Sequence, residues 1–220
     1  MSRSALLVGA TGLVGGRLLN RLLAHPDYDR VTIWVRRPVS LRIHKFSQLV
    51  VDFERLADYA AQFDAQDVYV ALGTTIKNAG SQEAFRKVDF DYPLALARIA
   101  KERGAQRFLL VSALGANARS RVFYSRVKGE VEEAIAGVGI AQTWFFRPSL
   151  LTGPRVQDRR GERVGTAIGR VVAPFLIAGL RKYRPIAGDA VAAAMVYAAT
   201  HDVAPGVVES DRIAKLAAQS

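Results

Sequence analysis

Residues 5–16 read ALLVGATGLVGG. An apolar run, ALLVG (5–9), enters a loop carrying Gly9, Gly12 and Gly15, and an amphipathic stretch of about 13–24 follows at once. A buried strand that breaks into glycines and resumes as a helix is the opening of a dinucleotide-binding unit. The first glycine permits a tight turn, the second lets a pyrophosphate approach the backbone, and the third lets the helix pack on the sheet. The helix then turns its free N–H groups toward the phosphates. Gly9, Thr11, Gly12, Leu13, Val14 and Gly15 are therefore the expected cofactor loop. The same stretch superficially resembles a secretory signal, but it is rich in glycine and lacks a small-x-small cleavage site, so it is read as strand, loop and helix.

Outward from this loop, strand-like and helix-like segments alternate. VTIWV (31–35), QLVVD (48–52), DVYVALG (67–73), QRFLLVSAL (106–114) and IAQTWFFRPS (140–149) read as strands. ERLADYAAQF (54–63), YPLALARIAKERG (92–104) and 121–137 read as helices, the second closed by Gly104. Strands separated by helices through short connections specify a parallel sheet covered on both faces, with right-handed crossovers. The expected fold is an α/β, Rossmann-type doubly wound sheet. No linker divides the chain, so residues 1–220 are expected to form a single domain, with 151–220 supplying a substrate-side lid and C-terminal elements. Beyond 150 the pattern loosens into a basic segment, 155–184, of net charge +6, with a helix at about 163–181. A helix at 188–201, a strand at 206–210 and a short tail complete the chain.

Composition excludes several chemistries. There is no cysteine, so disulfides, thiol catalysis and Cys-ligated metals are absent. His25, His44 and His201 are scattered without ligand spacing, and no metal site is expected. A cysteine-free chain suits a reducing compartment, which places the protein in the cytoplasm on this reading. The net charge of +11 raises the question of a polyanionic partner, but no nucleic-acid motif and no long basic run accompany it. VVAPFLIAGL (171–180) is too short to span a bilayer, and contact with a membrane surface is the lesser alternative to a lid.

The end of the second strand speaks to the cofactor. A carboxylate there would bind the adenosine ribose hydroxyls of NAD, whereas this chain places Arg36 and Arg37 at that point. Two guanidiniums suit the additional 2′-phosphate of NADP, so NADP (NADPH) is expected in preference to NAD. Asp52, with Phe53 beside it, ends the third strand where a carboxylate could accept from the adenine amino group. Leu72, Gly73, Thr74 and Thr75 end the fourth strand along the crevice.

YSRVKGE (124–130) places Tyr124 and Lys128 one turn apart on a helix, and Ser112 ends the strand before it. With GATGLVG, ALGTT, FRKVDFDYPLA, VSALGAN, YSRVKGEVEE and FRPSLLTGPR, spread over roughly residues 5–155, the chain resembles the atypical branch of the short-chain dehydrogenase/reductases. It is similar to the Tat-interacting-protein-like oxidoreductases and their small bacterial relatives. The resemblance implies roles: Tyr124 as proton donor or acceptor, Lys128 holding the nicotinamide ribose and lowering the tyrosine pKa, and Ser112 orienting the substrate oxygen. A free tyrosine titrates near about 10, and a nearby ammonium favours phenolate. Arg147, Pro148 and Ser149, in FRPSLLTGP, would pass the nicotinamide end. The chain departs from the family pattern where many members carry an asparagine, for which Asp89 is the local candidate. The implied activity is hydride transfer to or from a small carbonyl or alcohol. A redox sensor that binds NADPH with little turnover is the alternative, since a fold does not fix a function.

Overall fold

The computed structural model describes residues 2–41, 43–153 and 183–220; the helix expected at 163–181 and most of the expected lid lie outside them. Strand β1 (Arg3–Val8) is followed by α1 (Leu13–Ala24) and β2 (Tyr28–Val35). Next come β3 (Phe46–Val50), a 3-10 helix (Phe53–Gln62) and β4 (Asp67–Val70). Two short helices, α2 (Ile76–Ala79) and α3 (Gln82–Arg86), lead through a π-helical turn (Lys87–Asp91) into α4 (Tyr92–Glu102). Then follow β5 (Arg107–Val111), α5 (Phe123–Val138), β6 (Gln142–Arg147) and a two-residue strand β7 (Leu151–Thr152). After the undescribed segment come β8 (Ile186–Ala187), α6 (Gly188–Thr200), β9 (Gly206–Glu209) and α7 (Ser210–Ala217).

Among the described residues seven strands form one sheet in the order β3-β2-β1-β4-β5-β6-β9, and every neighbouring pair is parallel. β7 and β8 make a small parallel pair of their own. The strand order reverses direction between β1 and β4, and the crevice outside the carboxyl ends of those strands is where open α/β sheets bind ligands. Strand β1 shows why its sequence is continuously apolar: Ala5 and Leu7 belong to the core under α1, α6 and α7, and Leu6 and Val8 to the core under the 3-10 helix, α4 and α5. The opposite edge of the sheet is closed by the buried carboxylate of Asp67. It accepts from the Tyr28 hydroxyl at 2.6 Å and from Arg107 at 3.0 Å. Burial pushes the Tyr28 and Tyr69 hydroxyls well above their ordinary titration range.

Several local expectations change. The segment expected as a helix at 54–63 is one, a 3-10 helix over Phe53–Gln62 with a non-helical residue at Arg55. The helix expected to begin at Tyr92 is the end of a longer one, because the π turn immediately before Pro93 accommodates the ring that would clash inside a regular α-helix. The short tail is a helix, α7, that buries Ile213 and Leu216. Gly104 does take the left-handed conformation (φ +77°) expected just past the end of α4.

Candidate active site

The glycine loop sits at the switch point and is close-packed. Gly9 has φ +94°, and a Cβ there would stand 2.5 Å from the carbonyl oxygen of Ala71, after β4. A Cβ on Gly15 would stand 2.6 Å from the carbonyl carbon of Gly9, so α1 can approach β1 this closely only without a side chain at that position. Gly12 is the N-cap of α1; among the described residues no side chain caps this end, and no acidic residue occupies the first turn. Those free N–H groups, on a 12-residue helix, fit a phosphate. Leu13 is held from the far side by Gly188, where a Cβ would lie 2.9 Å from Leu13 Cγ, and Val14 and Gly15 are buried against the sheet. A hollow of about 420 Å³ runs from Gly12 and Arg17 to Val39, Ser40 and Leu41, and Thr11 is exposed at the mouth of the loop.

Arg36 and Arg37 follow β2 directly and are both exposed. Asp52 lies two residues past β3, and its Oδ1 accepts the Glu54 N–H at 3.0 Å, capping the 3-10 helix. That contact engages one oxygen of the carboxylate expected at the adenine. Phe53 is buried with its ring 5.4 Å from that of Tyr92. Of the fourth-strand residues, Leu72 and Gly73 run along the sheet edge. Thr74 donates its N–H to Asp89 Oδ2 at 2.9 Å, and Thr75 caps α2 through Asn78 N–H at 3.1 Å.

Tyr124 and Lys128 lie on α5. The Tyr124 ring packs on the buried Phe85, centroids 5.5 Å apart. Lys128 is buried, with Nζ 2.6 Å from Asp89 Oδ1. Burial opposes its ammonium, yet the charges of Asp89, Tyr124 and Glu132 outweigh that penalty and raise its pKa. Asp89 is thus a structural partner of the lysine.

Ser112 and Arg147 share one buried carboxylate. The Ser112 hydroxyl donates to Glu132, buried on α5 one turn beyond Lys128. Arg147 forks onto the same Glu132 (Nη2 at 2.5 Å, Nε at 3.0 Å) and reaches Glu209 at 3.2 Å. Its guanidinium, whose pKa those contacts raise, therefore ties α5, β6 and β9 together. Pro148 accepts the Leu114 N–H at 3.0 Å, and Ser149 is held by the Arg184 carbonyl and by Ser210 Oγ.

Two features had no reading in the sequence. Glu132 is one carboxylate among several on α5, and only the approach of β5 and β6 reveals its partners. Gly129 did carry a signal, a glycine inside a helix with no turn to make. A Cβ there would stand 2.6 Å from Asn117 Cα, so the loop 117–118 lies directly on the helix next to Lys128.

A glycine loop at the switch point of a parallel sheet, with a tyrosine and a lysine one turn apart beside it, defines an NAD(P)-binding fold of short-chain dehydrogenase/reductase type. The chain belongs to the NAD(P)H-binding family, whose profile matches residues 9–160, and to its atypical short-chain branch. It is 37% identical over 165 residues to the protein HTATIP2 of Rattus norvegicus, covering 73% of this chain and 68% of that one. It is 32% identical to the mitochondrial protein FMP52 of Eremothecium gossypii, covering 98% of each. A UDP-glucose 4-epimerase of Thermotoga maritima, solved with UDP-glucose, superposes with a TM-score of 0.71 over 98% of this chain and 82% of its own. At 16% identity that likeness is one of fold.

The cytoplasmic location expected from the cysteine-free composition is overturned by the fungal relatives, which are named as mitochondrial. The physical reason is that a lack of cysteine argues only against reliance on disulfides and does not distinguish one reducing compartment from another.

Proposed function

We propose that the protein is an NADP-dependent oxidoreductase that transfers hydride to or from a small carbonyl or alcohol, with Tyr124 as the proton donor or acceptor. The observation that carries this reading is the buried ammonium of Lys128, held one helical turn from Tyr124 beside the crevice. The glycine loop and the uncapped start of α1 would hold the pyrophosphate, and Lys128 the nicotinamide ribose. Pro148 and Ser149 follow β6 on the nicotinamide side. When bound, the nicotinamide supplies or accepts the hydride, and the protein positions and polarises. Tyr124 moves the proton at the substrate oxygen, with the Lys128 ammonium one turn away on the same helix. The domain organisation proposed is a single unit, with residues 151–220 on the substrate side.

Arg36 and Arg37, exposed at the end of β2, support NADP over NAD. Charge-assisted hydrogen bonds contribute roughly 1.5–3 kcal/mol each, so a preference of about ten- to hundredfold is expected. Fluorescence titration of NADPH and NADH against the native protein and against Arg36→Ser/Arg37→Ser measures it. The native protein should prefer NADPH and the double variant should not. Equal affinities in the native protein would refute the assignment.

A second reading, an NADPH-binding sensor with little turnover, is favoured by one observation. Ser112 is bonded to Glu132, which takes from the substrate oxygen the hydroxyl that was expected to orient it.

A further inference from the structure

Lys128 and Asp89 make the most deeply buried ion pair among the described residues, with side chains 5% and 0% exposed. The carboxylate does more than meet the ammonium. Its second oxygen takes the Thr74 N–H at 2.9 Å. Asp89 sits in the π turn Lys87–Asp91, a local widening of the helix of the kind often found at functional sites. One carboxylate therefore joins three elements: the π turn, α5 and the loop after β4 that borders the crevice.

The other charges nearby are already engaged. Arg86 and Lys87, which precede Asp89 on its helix, pair with Glu130 at 2.5 Å and Glu54 at 3.3 Å. On its own helix Lys128 faces Tyr124 and Glu132, and Glu132 is matched by Arg147 from β6 and bonded by Ser112 from β5. Among the described residues, Asp89 is thus the one carboxylate in direct contact with the ammonium.

We propose that Asp89 is the positioning residue of this site, the group that keeps Lys128 charged and fixed beside the crevice before any cofactor arrives. The proposal rests on the reading of Lys128 as a cofactor ligand. Burial favours a neutral amine, and a buried cation stripped of its partner is strongly destabilised. With Asp89 in place, the hydrogen-bonding capacity of Lys128 is independent of pH across the neutral range. Without the carboxylate, burial should bring the lysine's titration down, so the ammonium would be present at low pH and lost as pH rises.

The test is NADPH affinity, by fluorescence titration between about pH 6 and 9, on the native protein, Asp89→Asn and Lys128→Met. Asparagine keeps the shape and an oxygen for Thr74 but removes the charge. The native protein measured in parallel accounts for the cofactor's own titration. Relative to native, Lys128→Met should bind more weakly by a constant factor at every pH. Asp89→Asn should bind nearly as the native protein at the acid end and fall to the Lys128→Met level at the alkaline end, a change of about tenfold or more. An Asp89→Asn protein whose affinity relative to native is constant with pH, whether unchanged or uniformly reduced, overturns the proposal. If Lys128→Met binds NADPH as tightly as native, the assignment of the lysine fails and the proposal falls with it. Should Asp89→Asn not fold, the double variant Asp89→Asn/Lys128→Met decides. Recovery of folding supports charge compensation, and continued failure to fold overturns it.

Discussion

Replacing Gly129 by alanine sets two effects of opposite sign against each other. Gly129 has ordinary helical geometry inside α5, so intrinsic propensity alone would make alanine more stable by about 1 kcal/mol. The structure opposes that gain. The new Cβ would stand 2.6 Å from Asn117 Cα and still nearer to backbone atoms of Asn117 and Ala118, where carbon atoms normally meet at about 3.5–4.0 Å. Backbone cannot rotate aside as a flexible side chain can, so the loop must retreat by about an ångström. Overpacking of this kind costs about 1–3 kcal/mol. The retreat also strains the hydrogen bond from Asn117 N–H to the Ser125 carbonyl, 2.9 Å long, whose loss costs about 1 kcal/mol. The net expectation is a destabilisation of about 2 kcal/mol. Gly137 provides the control in the same helix: a Cβ there meets nothing within 4 Å, so Gly137→Ala should stabilise by up to about 1 kcal/mol. Urea unfolding of the three proteins, compared at unchanged m, measures both differences. If Gly129→Ala is as stable as Gly137→Ala, the loop does not press on α5 as described.

Ser112→Ala removes the donor to buried Glu132 and should lower stability by about 1–3 kcal/mol while leaving NADPH affinity unchanged. A loss of turnover with no loss of stability would return the serine to the substrate. Asp189, in the first turn of α6, accepts from Arg21 at 2.7 and 3.1 Å, and that bonding holds its carboxyl below the usual range. A lowered folded-state pKa contributes stability above the unfolded value that is lost as pH falls through the folded one. Asp189→Asn should therefore cost under about 1 kcal/mol at neutral pH, since the pair is half exposed, and the difference should vanish in acid; thermal unfolding across a pH series reads it.

The parts of the fold legible in the sequence were those governed by local geometry. Gly9 and Gly15 announce a strand-to-helix turn that no side chain could enter, and α1 begins and ends where the apolar spacing places it. The spacing of Tyr124 and Lys128 likewise put them one turn apart without reference to the rest of the chain. What remained illegible depends on the approach of distant segments. Nothing in VSAL says that Ser112 will meet a glutamate 20 residues later, and nothing in FFRPS says that Arg147 will meet the same one. Asp89 could be singled out as a departure, but its contact with Lys128 needed the π turn, which no periodicity reports. The helical periodicity of 54–63 does not tell a 3-10 from an α ladder, and the break at Arg55 is a matter of backbone alone.

The central claim is that Tyr124 handles the proton of a hydride-transfer reaction, and the direct measurement is NADPH consumption over a panel of small aldehydes and ketones by the native protein and by Tyr124→Phe. The variant loses only a hydroxyl, and its ring can keep its place on Phe85, so folding and NADPH affinity should persist. The expected result is turnover of at least one compound by the native protein and a fall of about 10²–10⁴-fold in kcat in the variant. Near-native kcat in Tyr124→Phe, or no consumption of NADPH by the native protein across the panel, would contradict the claim and leave the cofactor-sensing reading in its place.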